Sequence, residues 1–387
     1  MAGAVNVATF KDAIDLGYTY RIVEPTEASR LLPKSLTDLV ETHEFEPENP
    51  DKVGWYEEGV LKPRTSYKVK IVRILDGDTV AVKIAGKKPM KWYADGTQYE
   101  EWTVRFLHND TPESVFRPNK PQPGGKEARQ AMAELLGVVI TDMSTGDDEH
   151  DTRKKGFFKV LNPQGKVIGS SIEGTVTTGA SAVDSYGRLI GTIEVSNKGE
   201  RRGKQGTLLL NFEMAESGFA WPVFYLTPGF DWKEWRRYSE AFNQAIATEA
   251  GLFQRELMLQ GSIHETPTQN RARLSGRPCQ RMFGVLGFDE GSEEPIITVY
   301  PPHLCEDKRF MPRPETILGG KGNQIDEPSL KKLVNVRRRM PMIIQVGGET
   351  LLGAEMAQHP DRYRLSPELK KIILDVPRGT TVVSSAR

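Results

Sequence analysis

The stretch Thr103–Ser114 reads Thr-Val-Arg-Phe-Leu-His-Asn-Asp-Thr-Pro-Glu-Ser. Its first half alternates, with Val104 and Phe106 on one face of a strand and Arg105 and Leu107 on the other. Its second half is a proline-containing turn that holds Asp110, Thr111 and Glu113. A strand of this kind brings two carboxylates and an arginine together at one end of a sheet. Taken alone, the segment reads equally well as a salt-bridged loop.

Two further segments bear on that choice. Val69–Ile84 consists of two alternating apolar runs around Asp76-Gly77-Asp78, which predicts a β-hairpin. Asp184-Ser185-Tyr186-Gly187-Arg188-Leu189 leads into the strand-like Ile190–Val195. The three pieces are Asp-Gly-Asp-Thr, then Arg-x-x-x-x-Asp-Thr-Pro-Glu, then Asp-x-Tyr-Gly-Arg. In that order they resemble the staphylococcal (thermonuclease-like) nuclease family. The resemblance runs from about Tyr67 to about Glu256, and implies an α+β fold: a five-stranded OB-type β-barrel with three helices.

Helix signals agree with that expectation. Gly125–Leu136 has Ala128, Met132 and Leu135 at helical spacing and matches the family's first helix. Asn211–Ala220 resembles the second. Trp232–Leu252 predicts the third, with Trp235, Tyr238, Phe242 and Ile246 as an apolar stripe.

The 387 residues hold room for two or three domains. The expected division is an N-terminal appendage with short helices (1–65), a nuclease-like domain (66–256) and a C-terminal extension (257–387) read as extended, partner-binding arms. Gln260–Pro278 is polar and carries Arg271, Arg273 and Arg277. Pro295–Pro314 is proline-rich and predicted extended. Arms of this kind order on contact with neighbours, as in a homo-oligomer or a virion. The start of the chain lacks a secretory pattern and no apolar run approaches a membrane span, so the expected location is cytoplasmic or virion-associated.

The formal net charge is zero, which neither supports nor refutes a nucleic-acid partner, since a nuclease needs only a locally positive cleft. With only Cys279 and Cys305, the fold rests on its core rather than on disulfides. The six histidines show no ligand pairing for zinc.

Asp78 and Asp110 offer hard oxygens, a set that suits Ca²⁺, with Mg²⁺ or Mn²⁺ second. The resemblance implies this calcium site, with the Thr111 carbonyl as a third ligand and Asp76 acting through water. It further implies Glu113 as general base and Arg105 and Arg188 flanking the scissile phosphate. Tyr186 matches a substrate-side tyrosine. The family's preceding lysine is Ser185 here, and its later tyrosine pair falls at Phe224 and Leu226 with Tyr225 between; Phe224 and Tyr225 are the candidate substrate contacts. The expected activity is a calcium-dependent endonuclease acting on DNA or RNA. Two rivals stand beside it: a structural virion or tail component that keeps the barrel as a scaffold, and a nucleic-acid-binding module without cleavage.

Overall fold

The computed structural model describes residues 61–89, 98–114, 121–141, 156–162, 164–184, 187–197, 206–224, 231–274, 283–288, 295–301, 304, 307, 309–310, 325–338, 343–345 and 363–369. Residues 1–60 of the expected N-terminal appendage, and Ser185, Tyr186, Tyr225, Leu226, Arg277, Cys279 and Cys305, lie outside them.

Strands β1 (Ser66–Asp76) and β2 (Thr79–Ile84) form the expected hairpin, in register from Val69 opposite Ile84 to Asp76 opposite Thr79. β3 (Trp102–Phe106) pairs antiparallel with β2 and parallel with β9 (Leu189–Asn197), and β8 (Ile172–Val183) pairs with both β1 and β9. The order β9-β3-β2-β1-β8 therefore closes on itself into a mixed five-stranded barrel, and β10 (Gly206–Leu209) extends it beyond β9. The alternation read in the sequence is the reason for closure. Ile71, Ile74, Val80, Val82, Val104, Val176, Leu189 and Ile193 all point inward at 0% exposure. Each such side chain contributes about 1.5–3 kcal/mol by leaving water.

Helix α1 (Gly125–Leu136) spans the predicted residues and seals the barrel with Ala128, Met132, Leu135 and Leu136. The short strands β5 (Val138–Ile140), β6 (Phe158–Leu161) and β7 (Val167–Gly169) form a separate three-stranded sheet. Two-residue strands β4 (Asn109–Asp110) and β11 (Trp221–Pro222) pair with each other. Helix α2 (Leu210–Glu216) lies before β11. Helix α3 (Trp232–Ala247) is capped by Asp231, which accepts the Lys233 and Glu234 N–H groups. It buries the predicted stripe of Trp235, Tyr238, Phe242 and Ile246, but ends before Leu252.

The region beyond 256 departs from the expected arms. Helices α4 (Arg255–Gln260) and α5 (Pro267–Leu274) follow the barrel. Strands β12 (Phe283–Phe288), β13 (Pro295–Tyr300), β14 (Ile343–Gln345) and β15 (Tyr363–Leu365) make a sheet in the order β14-β12-β13-β15, joined by helix α6 (Glu327–Arg337). Phe283, Phe310, Leu330 and Leu333 share one apolar core with Trp221, Phe242 and Phe253. Pro295–Tyr300 is extended, as predicted, but as a strand with partners on both sides. Arg337 is fully buried and donates from Nε to the Ile263 carbonyl at 2.9 Å and from Nη2 to the His264 carbonyl. Burial pushes its guanidinium down to about 10. Among the described residues no helix is long and apolar enough to cross a membrane.

Candidate active site

The β1–β2 turn and the β3–β4 turn meet at one end of the barrel. Cross-strand pairing sets Arg105 opposite Thr79, one residue from Asp78. The Phe106 N–H donates to the Asp78 carbonyl at 2.8 Å, locking the two turns together. Asp78 is 1% exposed, and its carboxylate accepts the Thr111 N–H at 2.7 Å and the Thr79 hydroxyl at 2.9 Å. Arg105 forks between two acids, with Nη1 on Asp78 Oδ2 and Nη2 on Asp110 Oδ1. Asp76 accepts the Gly77 N–H at 2.8 Å and the Ser114 N–H at 3.2 Å, so the hairpin turn also holds the far end of the Pro112 turn.

Glu113 is set by α1. The Gln122 N–H donates to the Glu113 carbonyl at 2.9 Å just before the helix begins. Helix and turn approach so closely at Gly125 that a Cβ there would lie 2.3 Å from the Glu113 carbonyl oxygen. Only glycine fits.

A fourth segment completes the cluster, one that the sequence reading took for a polar arm. Arg271, on α5, donates from Nη1 to Glu113 Oε1 at 2.5 Å and from Nη2 to Asp110 at 2.8 and 2.9 Å. The Thr268 hydroxyl donates to Asp110 Oδ2 at 2.8 Å.

The charges follow from this wiring. Burial pushes the Asp110 carboxyl up, but the Arg271 and Arg105 guanidiniums outweigh it and hold it below the usual range. Glu113 moves the other way. Burial raises it and Asp78 adds to the rise, against the pull of Arg271. Asp76 is raised well above the ordinary carboxylate value by burial, then by the charges of Glu113 and Asp78. Four acids here face two guanidiniums, so the fully ionised cluster carries surplus negative charge.

Among the described residues no three His, Cys, Asp or Glu side chains converge to hold a metal ion by themselves. The resemblance asks for less: two carboxylates and a carbonyl, with water as the balance. Asp78 and Asp110 fit that demand, since they turn one oxygen each toward the two ends of a single cationic group. Thr111 Oγ1, beside them, is buried and has no hydrogen-bond partner among the described residues.

Asp76, Asp78, Arg105, Asp110, Thr111 and Glu113 are thus brought together. Arg188 sits one residue before β9, whose Ile190 pairs with Arg105; it therefore occupies a register position on the same face as Arg105. Its guanidinium is held by Asp184, at 2.7 Å from both Nε and Nη2. Phe224 is a correction. It is 3% exposed, stacked on His108 at 4.2 Å between centroids and edge-on to Tyr238, so packing consumes the ring expected to face substrate. Tyr186 and Tyr225 lie outside the described residues. Asn211, missed in the sequence, ties this end of the barrel together. Its Oδ1 accepts the Ile193 N–H at 2.9 Å, and its Nδ2 donates to the Leu107 carbonyl at 2.8 Å and the Gly191 carbonyl at 3.1 Å.

No family model matches the chain. Over 256 residues, 66% of its length, it is 24% identical to Endonuclease YhcR of Bacillus subtilis (strain 168), covering 16% of that protein. Over 102 residues, 25% of its length, it is 31% identical to an uncharacterized protein of Bacillus anthracis, covering 42% of it. The chain thus spans less than half of either relative.

Proposed function

We propose that the chain is a nuclease that hydrolyses phosphodiester bonds in DNA or RNA, with calcium as its ion. The observation that carries this reading is the meeting of the 76–78 and 105–113 segments in one hydrogen-bonded cluster of acids and arginine. The similarity to an endonuclease supports it.

Asp78 and Asp110, with the Thr111 carbonyl, would hold the ion. Bound there, it would supply Lewis-acid polarisation of a non-bridging phosphate oxygen. Glu113 takes the proton of the attacking water. Its carboxyl, raised by burial, is a better proton acceptor than an exposed glutamate. The water oxygen bonds to phosphorus, the bond to the 5′ oxygen breaks, and that oxygen takes a proton from solvent. The 3′ product keeps the phosphate. Arg105 offers fixed N–H donors to the charge that develops on the phosphate, and Arg188 stands on the same face to join it. Burial and the charges of Glu113 and Asp78 make Asp76 harder to ionise, which works against a build-up of negative charge where an incoming phosphate would lie.

The test incubates the full chain with single- and double-stranded DNA and RNA, in Ca²⁺ or chelator, beside Glu113→Gln. Cleavage that needs Ca²⁺ and falls on the order of 10²-fold or more in the variant is expected. Cleavage that survives both chelator and variant overturns the mechanism. A folded protein that cuts none of the four substrates returns the reading to a scaffold.

A further inference from the structure

By resemblance, the nuclease-like unit ends at about Glu256, yet a side chain from beyond that point reaches the acids at its centre. Thr268 and Arg271 are three residues apart on α5, on one helical face, and both bond Asp110.

Their placement is built, not incidental. Helix α5 starts in a capping box: the Thr266 hydroxyl accepts the Gln269 N–H at 3.2 Å, and Gln269 Oε1 accepts the Thr266 N–H at 3.1 Å. Pro267 occupies the first turn, where its missing N–H costs nothing. Arg273 binds Glu265 through two bonds of 2.6 and 2.9 Å. Gln122, beside Glu113, donates to the Glu265 carbonyl at 2.9 Å. Arg337 holds the carbonyls of Ile263 and His264 from the other side. A helix fixed at this many points is a component of the site rather than a gate over it.

We propose that Arg271 is a phosphate-binding residue of this site, a further guanidinium beside Arg105 and in addition to Arg188, supplied from outside the barrel. Both arginines donate to Asp110 Oδ1, which sets them side by side. Arg271 spends Nη1 and Nη2 on Glu113, Asp110 and Thr268, while its Nε–H makes no hydrogen bond among the described residues; its side chain is 36% exposed, against 18% for Arg105. A partly exposed guanidinium with an unused donor, held against both the metal-side acid and the proton acceptor, suits a phosphodiester oxygen. The inference rests on the nuclease reading.

The experiment compares wild type, Arg271→Ala and Arg271→Lys as full chains. It measures binding of a fluorescent phosphorothioate oligonucleotide in Ca²⁺, binding of Ca²⁺ alone by calorimetry, and kcat and KM for cleavage. Arg271→Ala is expected to weaken oligonucleotide binding about tenfold and to lower kcat on the order of 10²-fold, without weakening Ca²⁺ binding. Arg271→Lys is expected to restore part of the binding and little of kcat, because an ammonium lacks the fork. Wild-type rates and binding in Arg271→Ala overturn the proposal in favour of a structural role. Faster cleavage with tighter Ca²⁺ binding overturns it in favour of a plug. Wild type that binds the oligonucleotide through Arg271 but does not cleave it leaves this inference standing and sinks the hydrolytic reading alone. Wild type that shows no Arg271-dependent binding sinks the inference.

Discussion

Replacing Asn211 by alanine tests whether one buried amide holds the site's end of the barrel together. The side chain is 0% exposed and serves three backbone groups: the Ile193 N–H, the Leu107 carbonyl and the Gly191 carbonyl. Gly191 keeps a second bond, from the Leu107 N–H at 2.9 Å. Truncation therefore strands two buried groups, the Ile193 donor and the Leu107 acceptor. At about 1–3 kcal/mol for each stranded group, the expected loss is about 2–6 kcal/mol. Asn211→Asp is expected to do worse, because it turns a carboxylate oxygen toward two carbonyls in a dry interior. Urea unfolding, compared at constant slope, reads both values. A loss below about 1 kcal/mol for alanine, or an aspartate variant no worse than alanine, refutes the accounting. Cleavage by the folded fraction is expected to fall as well, since Leu107 leads directly into the turn that carries Asp110.

Three further outcomes follow from particular contacts. Gly125→Ala forces a Cβ to 2.3 Å from the Glu113 carbonyl oxygen and is expected to cost about 1–3 kcal/mol; an unchanged melting temperature would show that the helix start yields freely. Asp76 holds its proton more tightly in the native than in the unfolded chain, so its charge penalises the fold as pH rises above the ordinary carboxylate range. Asp76→Asn keeps an acceptor for the Gly77 and Ser114 N–H groups, so it is expected to raise the melting temperature at about pH 8 and to lose that gain near about pH 4; a lower value at about pH 8 contradicts the assignment. Arg337→Met leaves the Ile263 and His264 carbonyls without their donor and is expected to cost about 1–3 kcal/mol. It should also raise KM, by loosening the strand of chain before Arg271, and an unaltered KM would separate the two.

Periodicity carried much of the barrel. The hairpin at 69–84 and helix α1 were legible because each buries one face, and that face is written as alternation or as 3–4 spacing. Helix α3 was read too long. It ends at Ala247, not Leu252, and Glu249 takes a positive φ of 52°. Gly251, just beyond, is held by close packing: a Cβ on it would meet the Gly218 carbonyl carbon at 2.4 Å. Strand β13 was legible only as extended chain, because its partners, β12 and the distant β15, leave no local mark. The acids and Arg105 were legible through their order along the chain. Arg271 was not, since its acceptors lie 158 and 161 residues away. The one signal that pointed toward it was local: Thr266-Pro267-Thr268-Gln269, a helix start that would have turned a presumed polar arm into a helix presenting Thr268 and Arg271 together.

Arg337 carries a consequence for how such a protein responds to salt. It fastens the chain that delivers the Arg271 guanidinium to an otherwise acid-rich cluster, so the charge of that cluster depends partly on helix α6 of the appended region. If the proposed nuclease reading holds, sequence drift in the appended region would retune the salt range over which a polyanion is accepted, while every residue of the barrel stays as it is.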